Sequence, residues 1–325
     1  MILSRAPLRI TLGGGGTDLP TYYEANQGGF LVAAAINKHV YVSAHENFES
    51  EYLLKYSSIE RVAKANQIEH PIIREAIKVF DLRPGLEISS LADIPAGTGL
   101  GSSGTFTVSL LKSLATYSSI SLANSDLAHL ACKIEIELLK NPVGKQDQYI
   151  SALGGIKTIE FLPTGEVIYQ ELELTQYTRS KLERNLLLFF TGIKRSAKEE
   201  LAALEVSESM LSRDVIKNLD AVKQAGKEAA EALALGNLFD YAEMLTYQWD
   251  LKLQRAKTKI NFIVNDWIKA GIDAGAIGGK LVGAGGGGFL LFYAEEHAEL
   301  RKLMIRLGLR EVPFVFDYEG VTLIS

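Results

Sequence analysis

Cysteine is the scarcest residue type in this chain, and its scarcity excludes two kinds of site. Cys132 is the single cysteine among 325 residues, so no internal disulfide can form and a reducing compartment fits the composition. The five histidines show no metal-ligand spacing such as H-E-x-x-H. We therefore expect no structural zinc site, and we expect Cys132 to be an inert core residue.

Long apolar runs and blocks of like charge are also missing. The most apolar stretches, such as NLLLFF, are far shorter than the ~20 residues of a membrane helix. The N-terminal segment MILSRAPLRITL lacks the apolar core and cleavage site of a signal peptide. A net charge of −5 without Lys/Arg clusters argues against nucleic acid and anionic membranes as partners. We expect a globular cytoplasmic protein, either a monomer or a homodimer.

Strand and helix patterns fill the rest of the chain, whose 47% hydrophobic content can supply a sizeable core. Alternating or short apolar runs predict strands at PLRITL, FLVAAAINKHVYVSAHE, GLEISSL, NLLLFFTG and VPFVFDYEGVTLI, and on both sides of the turn PTGE. Helical spacing predicts helices at HPIIREAIKVFD, TFTVSLLKSLATY, SDLAHLACKIEIELLK and EEHAELRKLMIRLG, and long charged helices over roughly residues 195–270. The length suggests about two domains, which we place at residues 1–182 and 183–325.

Glycine, by contrast, is abundant, and one of its loops reads PAGTGLGSSG at residues 95–104. Its last six positions satisfy G-x-G-x-x-G, but a dinucleotide site also needs a second strand with a terminal acid about 20 residues on. Asp126 has that spacing but opens a helix, and no Lys-Ser/Thr pair follows as in a Walker loop. What remains is an anion site of backbone N–H groups at a helix N-terminus, with hydroxyls from Ser102 and Ser103. The alternative is a tight turn with a serine cap.

Two further glycine loops flank this one in the chain. The first, Gly13–Gly16, removes side chains just before Asp18, which either binds sugar hydroxyls or caps a turn. Arg9, on the strand before it, either extends to solvent at a sheet edge or is directed at an anion. The third, Gly283–Gly288, either closes against a ligand or another domain, or is a glycine-rich hairpin.

Two carboxylates carry the strongest chemical signal. A helical wheel over Ser125–Lys140 places Glu135 in the apolar arc and Glu137 among lysines on the polar arc. A buried carboxylate needs a cation, an arginine or a proton, and a structural ion pair is the alternative to a functional site. Asp147 follows beyond a Pro-Gly break. One carboxylate on a metal and another beside a hydroxyl is what phosphoryl transfer to an alcohol requires.

Three segments resemble, in this order along the chain, the three motifs of the GHMP kinases: APLRITLGGGGTDLP, PAGTGLGSSG and KLVGAGGGGFLLF. This is the family of galactokinase, homoserine kinase, mevalonate kinase and phosphomevalonate kinase. The resemblance implies an α+β fold of two domains, the N-terminal one like ribosomal protein S5 domain 2 and the C-terminal one ferredoxin-like. It also implies an ATP- and magnesium-dependent phosphotransferase with an alcohol group as acceptor and the site in the cleft between the domains.

Carried over position by position, the resemblance implies specific roles. Asp147 would face the acceptor hydroxyl with Arg9 beside it, and Ser103 and Glu135 would hold magnesium. The ATP phosphates would lie against one loop, made of Pro95, Ala96, Gly97, Thr98, Gly99, Leu100, Gly101, Ser102, Ser103 and Gly104. The sugar would contact a second set, made of Gly15, Gly16, Thr17, Asp18, Gly144, Lys145, Arg195, Gly285 and Gly286.

Within the family, four segments look most like the D-glycero-α-D-manno-heptose 7-phosphate kinases: RAPLRITLGGGGTDLP, HPIIREAIKVF, GKQDQY and TGIKRSA. Such an enzyme phosphorylates the anomeric hydroxyl and yields the 1,7-bisphosphate on the way to nucleotide-activated heptose, and Lys194, Arg195 and Ser196 are candidates for the 7-phosphate. Galactokinases have Glu-His where this chain has Gly15-Gly16, which argues against galactose. A related sugar 1-kinase such as an L-fucokinase, and a non-catalytic sugar- or nucleotide-binding member of the fold, are the alternatives.

Overall fold

The computed structural model describes residues 1–193, 212–256, 262–283 and 287–324. Five of the predicted substrate contacts lie outside these ranges: Lys194, Arg195, Ser196, Gly285 and Gly286. The strands of the described part are β1 (Ile2–Gly14), β2 (Gly29–Glu46), β3 (Tyr52–Lys55), β4 (Ile59–Val62), β5 (Leu86–Ala92), β6 (Ile156–Phe161), β7 (Val167–Glu171), β8 (Leu186–Phe190), β9 (Gly278–Val282), β10 (Phe289–Tyr293), β11 (Arg310–Glu311) and β12 (Thr322–Leu323).

The helices of the described part are interspersed with these strands. They are α1 (Pro20–Tyr23), α2 (Pro71–Val79), α3 (Ser102–Tyr117), α4 (Asn124–Cys132), α5 (Gln146–Leu153), α6 (Gln176–Asn185), α7 (Arg213–Leu235), α8 (Leu238–Ala256), α9 (Phe262–Asp273) and α10 (Ala298–Arg306). A π-helix over Lys133–Leu138 continues α4, and a 3-10 turn covers Ala65–Gln67. None of the helices in the described ranges is both long enough and apolar enough to span a membrane.

The larger sheet has eight strands and is antiparallel except where β3 runs parallel to β5. Its path is β12-β1-β2-β5-β3-β4. The long strand β2 pairs with β1 on one side, and its other side is shared between β5 and β6, with β7 beyond β6. Arg9 lies opposite Ala35 in the β1–β2 register. Because β12 pairs only with Ser4 and Arg5 of β1, β1 has, among the described strands, a strand partner on one side only at Arg9.

Both faces of the first eight residues of β2 are buried, in agreement with the unbroken apolar run there. Leu31 and Ala33 join a core with the helices α2 to α5. Val32 and Ala34 join a second core with α7 and α8 from the other half of the chain. Because side chains alternate between the faces of a strand, one apolar segment serves both cores. The first glycine loop, at the end of β1, therefore lies between helices from both halves of the sequence.

The smaller sheet has four antiparallel strands in the order β11-β8-β10-β9. It packs against α9 and α10 through a third core that includes Ile268, Leu290 and Met304. Residue 182 lies in α6, just before β8, and β12 returns to pair with β1 in the larger sheet. The division of the chain at residues 182 and 183 stays a prediction.

The predicted elements are present within the described ranges, with two corrections. The helix expected over Ser125–Lys140 is α-helical only to Cys132 and continues as a π-helix. The wider π turn rotates the later residues, and Leu138, which an α-helical wheel places in the apolar arc, is 47% exposed. VPFVFDYEGVTLI is largely irregular because only Thr322–Leu323 form a strand, although Phe316 makes an isolated bridge to Ile36.

Candidate active site

The loop at residues 95–104 leads from β5 into α3. Gly97, Gly99 and Gly101 have φ values of 76°, 87° and 82°, which glycine adopts without the steric penalty of a side chain. Gly101 is the N-cap of α3, and no side chain caps the helix, so the alternative of a serine cap is wrong. The first amides of α3 have no intrahelical acceptor, and with the helix dipole they form a site suited to an anion.

The rest of this loop is anchored from both sides. The hydroxyl of Thr98 donates to the carbonyl of Pro95 over 3.0 Å, whereas Pro95 and Ala96 are themselves exposed. The side chain of Leu100 is buried in the core, and its carbonyl accepts the Arg9 N–H over 3.1 Å. The backbone of the loop is therefore fixed at Thr98 and at Leu100.

Glu135, in the π-helix, contacts the tip of α3. Its side chain is fully buried, and Oε2 accepts a hydrogen bond of 2.6 Å from Oγ of Ser103. Oε1 accepts one of 3.0 Å from Nε2 of Gln148. Burial raises the pKa of Glu135, and its hydrogen bonds to Ser103, Gln148 and Thr107 partly oppose that rise. Within the described residues the side-chain partners of Glu135 are Ser103, Gln148 and Thr107 and no ion pair involves it, so the structural ion pair considered above is not found.

The prediction that Glu135 is buried and Glu137 exposed is confirmed. The wheel had assumed an α-helix, and Glu135 nevertheless faces inward because the helix changes type only two residues before it. π-Helical turns are rare and are frequently found at functional sites. Here the π turn lies directly beside the glycine loop at residues 95–104.

Asp147 lies in the first turn of α5 and is paired with Arg9. Nε of Arg9 donates to Oδ1 of Asp147 over 2.6 Å, and its NH1 donates to the carbonyl of Gly99 over 2.7 Å. Arg9 is only 5% exposed, so it does not extend to solvent. A Cβ placed on Gly104 would lie 2.7 Å from Cβ of Asp147, and one on Gly101 would lie 3.0 Å from its Cγ. The glycines therefore allow α5 to approach the loop this closely.

Asp18 joins the same cluster from the first glycine loop. Its Oδ1 accepts the N–H of Gly16 over 3.0 Å, and its Oδ2 accepts the N–H of Gln146 over 3.4 Å. A side chain at Gly144 would collide with this carboxylate. Burial and the charge of Asp147 raise the pKa of Asp18. Asp18 thus caps a turn and also lies beside Asp147, so both of the alternatives considered for it fit the structure.

The other predicted substrate contacts are arranged differently. The hydroxyl of Thr17 bonds the backbone of Phe30, with Oγ to carbonyl 3.0 Å, and Thr17 is fully buried. The ammonium group of Lys145 donates to the carbonyl of Gly165 and lies 5.0 Å from the ring centre of Tyr23. Gly15 has only Thr11 near the position of a Cβ. Of these predicted contacts, the structure therefore places Asp18 and Gly144 close to Asp147, and it directs the ammonium group of Lys145 to the β6–β7 turn.

Gly283 and Gly288, in the described parts of the third glycine loop, lie against the second. A Cβ on Gly283 would lie 2.6 Å from Cα of Gly99, and one on Gly288 would collide with the carbonyl of Thr98. Because β9 and β10 are paired antiparallel, the loop is also a hairpin connection. At Gly283 and Gly288 the second half of the chain therefore packs against the glycine loop of the first.

Two polar residues beside the first glycine loop, Gln248 and Lys280, were not predicted. Gln248 on α8 accepts with Oε1 from the N–H of Gly14 over 2.9 Å and from Nζ of Lys280 over 3.2 Å. Nζ of Lys280 also donates to the carbonyl of Leu12 over 3.2 Å. Burial lowers the pKa of Lys280 to about 7. A lysine within the apolar strand β9 was a readable signal, whereas Gln248 lies in a charged helix with no distinguishing pattern.

Gln148 was missed although it stands in the GKQDQY segment that supplied Asp147. Its Oε1 is buried and has no hydrogen-bond partner, while its Nε2 is bound to Glu135. With Ser103 and Glu135 it forms an oxygen-rich set of the kind that magnesium prefers. No group of three or more His, Cys, Asp or Glu suited to a metal occurs in the described part of the chain. A single carboxylate is compatible with magnesium, which commonly binds one or two carboxylates plus substrate phosphates.

Comparisons with known proteins identify the family. Residues 54–155 match the GHMP kinases N terminal domain, and one relative is 30% identical over 98% of this chain and 98% of its own length. The chain belongs to the GHMP kinase family and is a phosphotransferase that uses an alcohol group as acceptor. That relative is a D-glycero-alpha-D-manno-heptose 7-phosphate kinase from Campylobacter jejuni.

Two further similar proteins are also sugar kinases. A crystal structure of a D-glycero-D-manno-heptose 1-phosphate kinase from Bacteroides thetaiotaomicron superposes with a TM-score of 0.81 at 27% identity, covering 100% of this chain and 99% of that one. An L-fucokinase/L-fucose-1-P guanylyltransferase from Bacteroides fragilis is 25% identical over 91% of this chain, which spans 35% of that protein. The predicted α+β fold of the GHMP kinases is confirmed, and the chain is a sugar kinase of this family.

Proposed function

We propose that this protein transfers the γ-phosphoryl group of ATP to the anomeric hydroxyl of D-glycero-D-manno-heptose 7-phosphate. The product would be the 1,7-bisphosphate, an intermediate toward nucleotide-activated heptose. The observation that carries the proposal is the contact of Asp147, paired with Arg9, against the glycine loop at residues 95–104. The names of the Campylobacter and Bacteroides relatives support a heptose phosphate as substrate.

In this proposal the triphosphate of ATP lies against the backbone of residues 95–104. The amides at the start of α3 donate to phosphate oxygens, and the helix dipole adds to their attraction for negative charge. Contact with Gly283 and Gly288 keeps the loop in one conformation. Phosphoryl transfer needs accurate positioning and charge stabilisation more than covalent chemistry from the protein, and a fixed backbone site provides both.

The acceptor hydroxyl faces Asp147. Because Arg9 occupies Oδ1 of Asp147, Oδ2 is the atom that takes the proton from the sugar hydroxyl as its oxygen attacks phosphorus. The guanidinium of Arg9 also reaches the carbonyl of Gly99 in the glycine loop, where its charge can stabilise the transferring group. Asp18, beside Asp147, orients the sugar by accepting hydrogen bonds from neighbouring hydroxyls.

Glu135 and Ser103 are the residues that would hold magnesium, with Oε1 of Gln148 as a further oxygen ligand. Magnesium, when bound, neutralises negative charge on the nucleotide phosphates. The hydrogen bonds from Ser103 and Gln148 orient the carboxylate of Glu135 toward the tip of α3.

We further propose that the protein acts in the cytoplasm as a monomer or homodimer, with its active site between domains at residues 1–182 and 183–325.

A substrate profile tests the proposal. ADP release would be measured with ATP and magnesium for heptose 7-phosphate, mannose, L-fucose and galactose, and the product analysed by phosphorus NMR. We expect kcat/KM for heptose 7-phosphate to exceed the others by about 10²-fold or more, with the new phosphate on the anomeric carbon. A preference for L-fucose would instead assign an L-fucokinase, and ATP binding without turnover of any sugar would indicate a non-catalytic member.

A further inference from the structure

Arg255, near the end of α8, lies beside the first glycine loop. Its NH2 would be 3.8 Å from a Cβ placed on Gly16. Its NH1 donates to Oδ1 of Asn218 on α7 over 2.9 Å. Asn218 in turn donates with Nδ2 to the carbonyl of Leu251 over 2.9 Å. The guanidinium is therefore held in one orientation between the two helices, with one nitrogen directed toward the loop.

The charge of Arg255 has no acidic partner within the described residues. Burial alone lowers its pKa, whereas the comparable buried arginine, Arg9, is paired with Asp147. A desolvated guanidinium without an anion is unfavourable, and its planar set of donors matches carboxylate and phosphate oxygens. The guanidinium of Arg255 therefore has the properties expected of a group that binds an anionic ligand.

A chain of contacts links Arg255 to the proposed acceptor site. Gly16, beside Arg255, donates its N–H to Asp18. Asp18 accepts the N–H of Gln146, the residue before Asp147. A sugar held by Asp18 with its reacting hydroxyl at Asp147 would therefore extend toward Arg255 at its other end.

The same face of α8 contacts the neighbouring loops. Gln248, Lys252 and Arg255 lie at helical spacing, and Gln248 bonds Gly14 while Lys252 donates to the carbonyl of Gly283. Lys145, a predicted sugar contact, has its ammonium group bound at Gly165. Among the cations placed by the structure near the first loop, Arg255 is the one whose position and pairing best suit a ligand phosphate.

We propose that Arg255, oriented by Asn218, binds the distal phosphate of the acceptor sugar and makes the enzyme select a phosphorylated sugar over a neutral one. The inference rests on the proposed function and adds the residue responsible for substrate selection. A guanidinium that donates two parallel hydrogen bonds to phosphate gives direction as well as charge, so a lysine would replace it only in part.

The test compares heptose 7-phosphate with unphosphorylated heptose for the wild type and for Arg255→Gln and Arg255→Lys. Hydrogen bonds to charged groups contribute enough that we expect Arg255→Gln to raise KM for heptose 7-phosphate by about 10- to 100-fold. KM for neutral heptose and for ATP should change by about twofold or less. Arg255→Lys should fall between, and Asn218→Ala should raise KM for the phosphorylated sugar by a smaller factor. Lys217→Gln, an exposed change on α7, is the control and should match the wild type.

The outcomes separate this inference from the proposed function. If the wild type turns over heptose 7-phosphate but Arg255→Gln changes KM equally for both sugars, or for neither, the phosphate site is wrong while the proposed function stands. If the wild type does not turn over heptose 7-phosphate, both are overturned. Thermal melting with and without ATP checks that each variant is folded. Should Arg255→Gln not fold, the same comparison with Arg255→Lys and Asn218→Ala decides the question.

Discussion

Nε of Arg9 lies 2.6 Å from Oδ1 of Asp147, a contact between residues 138 positions apart in the chain. The same guanidinium reaches the carbonyl of Gly99. One side chain thereby joins β1, α5 and the glycine loop at residues 95–104. Phosphoryl transfer requires the acceptor, the acid and the phosphates to be held in one geometry, and this three-way contact is how the structure supplies it.

Asp147 is the proposed base, so removing its charge should abolish most turnover. We expect Asp147→Asn to lower kcat by about 10²- to 10⁴-fold, with KM for ATP within about threefold of the wild type. Steady-state ADP release on heptose 7-phosphate measures both constants. Asp273→Asn, an exposed change at the end of α9, is the control. A kcat within about tenfold of wild type for Asp147→Asn would contradict the assignment.

The ionised carboxylate of Glu135 should lower the free energy of unfolding near neutral pH, although we expect the enzyme to need it for activity. Because its pKa is raised in the folded state by burial, the native chain holds this proton more tightly than the unfolded chain does. The free energy of unfolding therefore loses a contribution as pH rises from the ordinary value of 4.5 through the raised value. Glu135→Gln, which cannot ionise, should melt at the same or a higher temperature than wild type at pH 7.5, with kcat about 10²-fold lower.

Glu137→Gln is the matched control for that experiment, since Glu137 is exposed in the same π-helix. It should leave both the melting temperature and kcat unchanged. Melting would be followed by circular dichroism from pH 4 to pH 8 for all three proteins. A lower melting temperature for Glu135→Gln than for wild type at pH 7.5 would show that the charged form is stabilised, contrary to the structure.

Gly283 and Gly308 have nearly equal positive φ values, 82° and 80°, but different surroundings. Alanine at either position adopts a left-handed conformation that costs about 1–2 kcal/mol. Only at Gly283 would the new Cβ meet Cα of Gly99, at 2.6 Å, whereas nothing lies within 4 Å at Gly308. Both variants should melt earlier, but only Gly283→Ala should raise KM for ATP, by about tenfold, one power of ten for each 1.4 kcal/mol. An unchanged KM for ATP in Gly283→Ala would show that this contact does not shape the nucleotide site.

The buried side chain of Lys280 should make the free energy of unfolding depend on pH in the alkaline range. Its pKa is about 7 in the fold and 10.5 when unperturbed, so the unfolded chain binds more protons between these values. The contribution of Lys280 to stability is therefore present above pH 10.5 and is lost as pH falls toward 7. The difference in unfolding free energy between wild type and Lys280→Met should rise by about 2 kcal/mol from pH 7 to pH 9. Urea unfolding at several pH values measures it, and a difference that does not vary with pH would contradict the buried, weakly basic lysine.

Local patterns predicted much of the fold and part of the candidate site. The period of β2, the apolar face of α3 and the burial of Glu135 followed from residue spacing alone. The short helix α5 was missed, although it carries Asp147, because eight residues after a Pro-Gly break show little periodicity. The π-helix was missed because the sequence does not signal a change in hydrogen-bond register.

Contacts between distant segments could not be predicted in the same way. Gln248 bonds Gly14, and Asn218 orients Arg255, through helices that no local pattern ties to the first glycine loop. Whether a polar side chain in a charged helix meets solvent or a loop depends on which faces pack together. The sequence likewise placed Lys145 at the sugar, while the structure directs its ammonium group to Gly165.

The sequence by itself determined that glycine-rich backbone precedes the helix α3, that one acid of the π-helix is buried, and that the chain can bury cores on both faces of β2. These properties depend on neighbours within a few residues, where spacing and side-chain size decide the outcome. Only the tertiary structure decided that Arg9 meets Asp147, that Gly283 meets Gly99, and that Arg255 lies beside Gly16. Those contacts join segments far apart in the chain, and their free energies arise from desolvation and close packing that exist only after the segments have come together.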